Sequence, residues 1–239
     1  DRCDCISLLG IRTAKAGGHT RICSATKVYN VMLERHPELA RSLFRPFPRI
    51  WEGSNGLADL PVWAVCDGKF TTQFSPSYTE NSQLLPAARK LSPDEVEALD
   101  LVEEIGVEVG HRFLQGPGQL YFLNNHQVYH GRSSWQFDEQ SEAVADKGQV
   151  AEPDGGEGRL LYRIWLSPYN SRRIPDTPLF RRLWGSIEAG LPRGGLDPAM
   201  RSGLTEKPQE LVKQVESGTH EYYGMFKRKF REDARFALE

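Results

Sequence analysis

The chain has 239 residues, 39% hydrophobic and 26% charged, enough apolar material for one sizeable core in a single domain. It has no apolar run long enough for a membrane-spanning helix, which excludes that class. The formal net charge is −2, and acids and aromatics interrupt the basic residues of "FKRKFREDAR". That pattern reads as a solvated helix face and argues against a nucleic-acid partner.

The chain opens with "DRCDCISLLGIR", without an initiator Met, and runs directly into a strand-like apolar pattern. A preceding segment is therefore expected to be missing from this sequence, so the lack of a targeting peptide carries little weight. Cys3, Cys5, Cys23 and Cys66 form neither a good zinc pattern nor a disulfide scaffold; reduced thiols in a cytoplasmic protein are expected. "DCISLLGIR" predicts a mostly buried strand, and "GGHTRICSA" a glycine turn feeding a second one. In the helical stretch that follows, Val28, Met32 and Leu33 suit one face, and Pro37 opens a second short helix.

"RIWEG", "VWAVCDG" and "KFTTQF" read as short strands, with Asp67-Gly68 as a two-residue hairpin turn. "LSPDEVEALDLVEEIGVEVGHRFL" predicts a helix with Ser92 at the N-cap, Pro93 at the first position and Glu95 completing a capping box. "QLYFLNN" and "HQVYHGR" predict two strands about a turn. Residues 136–158 hold seven acids and four glycines and read as a mobile acidic insertion, a candidate lid. "RLLYRIWLSPY" returns to strand, and the tail from "PLFRRLWGSIEAGL" onward reads as helical. Short strands with hairpin signals and no βαβ alternation favour a mainly β fold, an antiparallel sandwich or jelly roll with helical decoration.

Two groups of residues could carry chemistry. His126 and His130 are four apart; in a strand they share a face and could both point inward. Packed core histidines remain the simpler reading for this segment alone. In "RLLYRIW", Arg159, Leu161 and Arg163 share one face, while Leu160, Tyr162 and Ile164 form an apolar opposite face. Two arginines inside a barrel need anions. About 13 Å apart along a strand, they suit two anions or two ends of one site. If the apolar face were the inward one, both would simply be solvated.

In this order, "AKAGGHT", "NNHQVYHGRSSW" and "RLLYRIWLSP" resemble the taurine dioxygenase-like (TauD/TfdA) family of Fe(II)/2-oxoglutarate oxygenases, from the first residue to about residue 170. The resemblance implies a double-stranded β-helix, the clavaminate synthase-like jelly roll, as one oxygenase domain over 1–239. Family members bind iron through a His-x-Asp pair and a distant His. Asp1 occupies the aspartate's place and His130 that of the distal ligand; the paired histidine would lie two residues before Asp1, outside this sequence. Asp4 is the competitor for the carboxylate role, in a place where related chains usually carry an Asp beside the ligand.

Two imidazoles and a carboxylate on one face of Fe(II) leave positions for a chelating 2-oxo acid and O2. By resemblance, Arg159 holds the far carboxylate of 2-oxoglutarate, as a two-pronged cation suits. Thr20 adds a hydroxyl, and Arg163 corresponds to the residue that takes an anionic substrate end. His130 and Arg159 are 29 residues apart, longer than usual in the family, and the acidic insertion accounts for the excess. The activity implied is oxidative decarboxylation of 2-oxoglutarate to succinate and CO2, coupled to C–H oxidation (hydroxylation, ring closure or desaturation) of a small molecule. A carboxylate-bearing substrate such as an amino acid is favoured by Arg163.

Two alternatives stay open: a jelly-roll binding protein without the metal, and a zinc hydrolase using His126, His130 and a carboxylate. Neither a phosphate loop nor a G-x-S-x-G elbow is present. Trp135 and Trp165 read as core or pocket wall. Partners are small molecules rather than membranes, and homo-oligomerisation is left open.

Overall fold

Strand β1 (Cys5–Arg12) is hydrogen-bonded along both edges, to β9 (Leu120–Asn124) and to β12 (Leu160–Leu166), both antiparallel. Its backbone groups are thus satisfied on both sides, and Ile6 and Leu8 on its inner face are buried. The computed structural model describes residues 2–14, 16–50, 57–132, 135–136, 159–191 and 193–194. The expectations for the acidic insertion beyond Gln136 and for the tail after Gly194 fall outside these residues.

A second sheet has the order β10-β3-β8, formed by Val128–Arg132, Thr20–Ser24 and His111–Phe113. A third, two-stranded piece joins β2 (Ala16–Gly17) to β11 (Trp135–Gln136). Antiparallel pairing throughout, with crossovers between sequence-distant strands, is the jelly-roll pattern expected.

Alternation assigns the faces. Ile6, Leu8 and Leu123 are buried, with Ile22, Tyr121, Val128, Leu161 and Trp165 packed against them, so both sheets contribute to one inter-sheet core. The other face of β3 and β10 presents Cys23 and Tyr129 to a separate cluster built from α1 (Ala25–Arg35), α2 (Pro37–Ser42) and α4 (Pro93–Glu108). There the Trp63 indole donates to the Tyr129 hydroxyl at 2.8 Å, and that hydroxyl also bonds Thr72 at 2.6 Å. A third cluster joins α5 (Pro178–Trp184) to Leu60, Ile174 and Ile187.

Local signals account for most boundaries. Ser24 caps α1 by accepting from the Lys27 amide, and Ser92 with Glu95 forms the full capping box of α4. Asp67 and Gly68 both have positive φ, 50° and 69°, as a two-residue turn between β6 (Trp63–Cys66) and β7 (Lys69–Thr72) requires.

Several expectations are corrected. Leu33 is 42% exposed, while Val28 and Met32 carry the buried face of α1. Helix α4 ends at Glu108, and "HRF" beyond it pairs with β3 instead. The pair β4 (Pro46–Ile50) and β5 (Leu57–Pro61), of which only part was expected, and the helix α3 (Pro76–Ser82) complete the described elements. Tyr162 and Ile164 are each 55% exposed, as are Phe122 (59%) and Leu120 (51%), so the apolar side of β12 is the outward one.

Candidate active site

The outward position of Tyr162 and Ile164 turns Arg163 inward. Register fixes this: Ile6 pairs with Trp165, Leu8 with Arg163 and Gly10 with Leu161, and directly opposed residues share a face. A bulge between Gly10 and Arg12 interrupts the ladder where β12 begins, re-aiming the chain beside Arg159. A Cβ on Gly18 would stand 3.1 Å from the Arg159 Cδ and 3.5 Å from its Nε. Gly18 has φ +70°. It therefore provides both the left-handed turn and the room for Arg159 to lie across the backbone.

From the facing sheet come Thr20, Ile22, His130 and Arg132. His130 pairs with Ile22 and Arg132 with Thr20; Ile22 belongs to the inter-sheet core, so all four share the inward face. Phe113 and Tyr121 meet edge-to-face with centroids 5.7 Å apart, bridging the sheets.

Burial, together with the nearby Arg163 charge, pushes the His130 imidazole down to about 4. Its ring is thus neutral at ordinary pH. Burial, then the charges of Arg159 and Arg163, pushes the Arg132 guanidinium down to about 10. Arg159 is lowered by burial too, Tyr121 opposing and Arg163 adding to the effect. Three arginines from two sheets thus act on one another. The Thr20 hydroxyl is buried and has no hydrogen-bond partner among the described residues, which fits a ligand whose oxygen would accept from it.

Asp1 lies outside the described residues, and among those described no three His, Cys, Asp or Glu side chains converge on a common point. Asp4, the competing carboxylate, is fully engaged elsewhere. The Arg193 side chain donates to it from Nη2 at 2.8 Å and from Nε at 3.0 and 3.1 Å, and the Ser167 hydroxyl donates at 2.9 Å. His126 lies in the turn between β9 and β10, not on a strand. Its Nε2 stands 2.7 Å from the Asp4 Oδ1 and its Nδ1 2.6 Å from the Thr71 hydroxyl. Burial holds the His126 pKa below its ordinary value, so a neutral ring that donates from Nε2 and accepts at Nδ1 satisfies both contacts. Both ring nitrogens of His126 are thus engaged by protein partners, which disfavours it as the zinc ligand of a hydrolase.

Sequence reasoning missed Arg132 and Arg193. Arg132 stands in plain view in the His-Gly-Arg triplet. Arg193 is 189 positions from its partner Asp4, and no local pattern marks it.

The sequence profile of the taurine catabolism dioxygenase TauD, TfdA family matches residues 1–165. A taurine hydroxylase-like protein, SAT17, from Stachybotrys chartarum is 29% identical over 140 residues, covering 54% of this chain and 35% of that protein. FR-33289 synthase from Streptomyces rubellomurinus is 25% identical over 199 residues, covering 80% of this chain and 55% of that one. The chain therefore spans between about a third and about half of the length of these curated relatives. The fold is similar to that of an asparagine oxygenase solved with Fe(II), 3-hydroxyasparagine and succinate. That likeness has a TM-score of 0.50 at 16% identity, over 69% of this chain and 46% of that one.

Burial alone would raise the Asp4 pKa, but hydrogen bonds from His126 and Arg193 outweigh it and hold the carboxyl at about 2, against an ordinary 3.8. A depressed carboxyl stabilises the fold above its ordinary value, and that contribution is lost as pH falls through the folded one. Asp4→Asn should cost about 3–5 kcal/mol near neutrality, because the Arg193 charge is left buried without its partner. In urea titrations the gap to wild type should narrow by about 2 kcal/mol as pH falls from about 3.8 towards about 2. A gap below 1 kcal/mol at neutral pH, or one independent of pH, would contradict this network.

From its first residue through β12, this chain belongs to the taurine catabolism dioxygenase TauD, TfdA family.

Proposed function

We propose that the protein is an Fe(II)/2-oxoglutarate-dependent oxygenase acting on a small molecule that carries a carboxylate, such as an amino acid. One observation carries the reading: the buried Thr20 hydroxyl, unpartnered among the described residues, faces the same inter-sheet space as the arginines. A 2-oxo acid with a distant carboxylate matches both groups.

Fe(II) with 2-oxoglutarate and O2 supplies the oxidising power, converting the co-substrate to succinate and CO2 while a substrate C–H bond is oxidised. Asp1, His130 and a histidine preceding Asp1 would hold the metal. His130 is suited because its ring stays neutral above about pH 4. Arg159 presents two parallel N–H groups to the far carboxylate, and Thr20 donates its hydroxyl proton to the same group. Arg163, on the inward face of β12 and about 13 Å along the strand from Arg159, orients the anionic end of the substrate. Phe113, Tyr121 and Leu123 line the space with apolar surface and keep water from the reacting bond. The family and the FR-33289 synthase and taurine hydroxylase-like relatives support this activity class. The product, whether hydroxylated, cyclised or desaturated, follows from the substrate.

No helix among the described residues is long and apolar enough to cross a membrane. We read the protein as cytoplasmic, with its four cysteines as free thiols. The acidic stretch 136–158 is proposed as a lid of the single domain.

For Arg159→Leu, removal of a charge-assisted pair worth about 1.5–3 kcal/mol should weaken 2-oxoglutarate binding about 10–100-fold. Unchanged affinity in a calorimetric titration would remove Arg159 from the role. His130→Ala should abolish tight Fe(II) binding in an anaerobic metal titration, and wild-type iron affinity in that variant would move the ligand elsewhere.

A further inference from the structure

Arg132 has no part in the ligand set inferred so far, yet its position is fixed by the same ladder as Thr20. The two residues are directly opposed across β10 and β3, so their side chains leave one face with Cβ atoms about 5 Å apart. Thr20 is buried and Arg132 is exposed, which sets the threonine deep in the inter-sheet space and the arginine at its rim. Arg159 approaches from the other sheet, laid across Gly18, which lies two residues before Thr20.

We propose that Arg132 is a second cationic contact for the far carboxylate of 2-oxoglutarate, closing on it from β10 while Arg159 closes from the β12 side and Thr20 from beneath. This rests on the 2-oxoglutarate reading above and names a residue which that reading leaves without a role. The electrostatics agree with it. Like charges that border one space repel, and an anion bound among Arg132, Arg159 and Arg163 offsets that repulsion. A carboxylate has two oxygens and about four acceptor directions, enough for two guanidinium groups and one hydroxyl. Anion capture of this kind also joins the two sheets, since one cation comes from each.

The test compares two 2-oxo acids by calorimetry on the Fe(II)-loaded protein without O2. 2-Oxoglutarate carries the far carboxylate and 2-oxobutyrate lacks it, while both share the chelating end. Arg132→Gln should reduce the preference for 2-oxoglutarate about tenfold or more and leave 2-oxobutyrate affinity unchanged. If Arg159→Leu loses the preference and Arg132→Gln keeps it, the inference about Arg132 is overturned and the 2-oxoglutarate reading stands. If wild type itself has no preference, both fall. Where thermal melting reports that Arg132→Gln does not fold, Arg132→Lys decides. It keeps the charge but not the planar fork, so a several-fold loss of preference is expected, and an unchanged preference overturns the proposal.

Discussion

The structure depends on one buried carboxylate. Asp4, at the entry to β1, receives hydrogen bonds from Arg193 and Ser167 and bonds His126, which in turn bonds Thr71 on β7. The Asp4 and His126 side chains are each 1% exposed and Arg193 is fully buried. A buried charge is tolerated only when paired and hydrogen-bonded, and here the conditions that satisfy Asp4 also assemble the molecule. His126 ties in the β9–β10 turn, Ser167 the end of β12, and Arg193 the segment after α5. Backbone bonds reinforce the junction: the Asn125 amide donates to the Asp4 carbonyl at 2.9 Å, and its side chain to the Cys3 carbonyl at 3.1 Å. The strands that begin or end here deliver His130, Arg159 and Arg163, so this network holds the framework of the candidate site without occupying it.

Above that junction, strand alternation divides the work. Each inward position of β3, β10 and β12 faces the inter-sheet space. The residues between them either pack on the helices, as Cys23 and Tyr129 do, or face outward, as Tyr162 and Ile164 do. The inward set changes along the strands from apolar (Ile6, Leu123, Trp165) to charged (Arg132, Arg163). A dry core therefore grades into an anion-attracting mouth within one layer. Desolvation at this boundary disfavours the charged form of both kinds of group, bringing His130 down to about 4 and Arg132 down to about 10.

What was legible in the sequence was mostly local. The capping box of α4 and the Asp67-Gly68 turn act within a few residues, and both occur as expected. Local apolar patterns also marked β1, β3, β10 and β12, and the family resemblance added the fold that joins them. Two kinds of feature were hidden. His126 reads as a strand residue because "HQVYHGR" alternates, but the Asn124 side chain accepts from the His126 amide at 3.1 Å and holds it in the turn. The inward face of β12 was ambiguous because its other face is apolar yet exposed, and only pairing with β1 decides between them. The Asp4–Arg193 pair, made at very long sequence separation, leaves no periodic or spacing signal at all. β5 was missed for a simpler reason: "LADLP" carries an acid and a proline where a strand pattern would have neither.

Succinate release from the protein mixed with Fe(II), 2-oxoglutarate and O2 is the most direct measurement. The expected result is release that requires all three additions and disappears when iron is withheld. Folded protein that binds Fe(II) and 2-oxoglutarate yet yields no succinate under O2, with or without candidate amino-acid substrates, would contradict an oxygenase and leave a binding protein in its place.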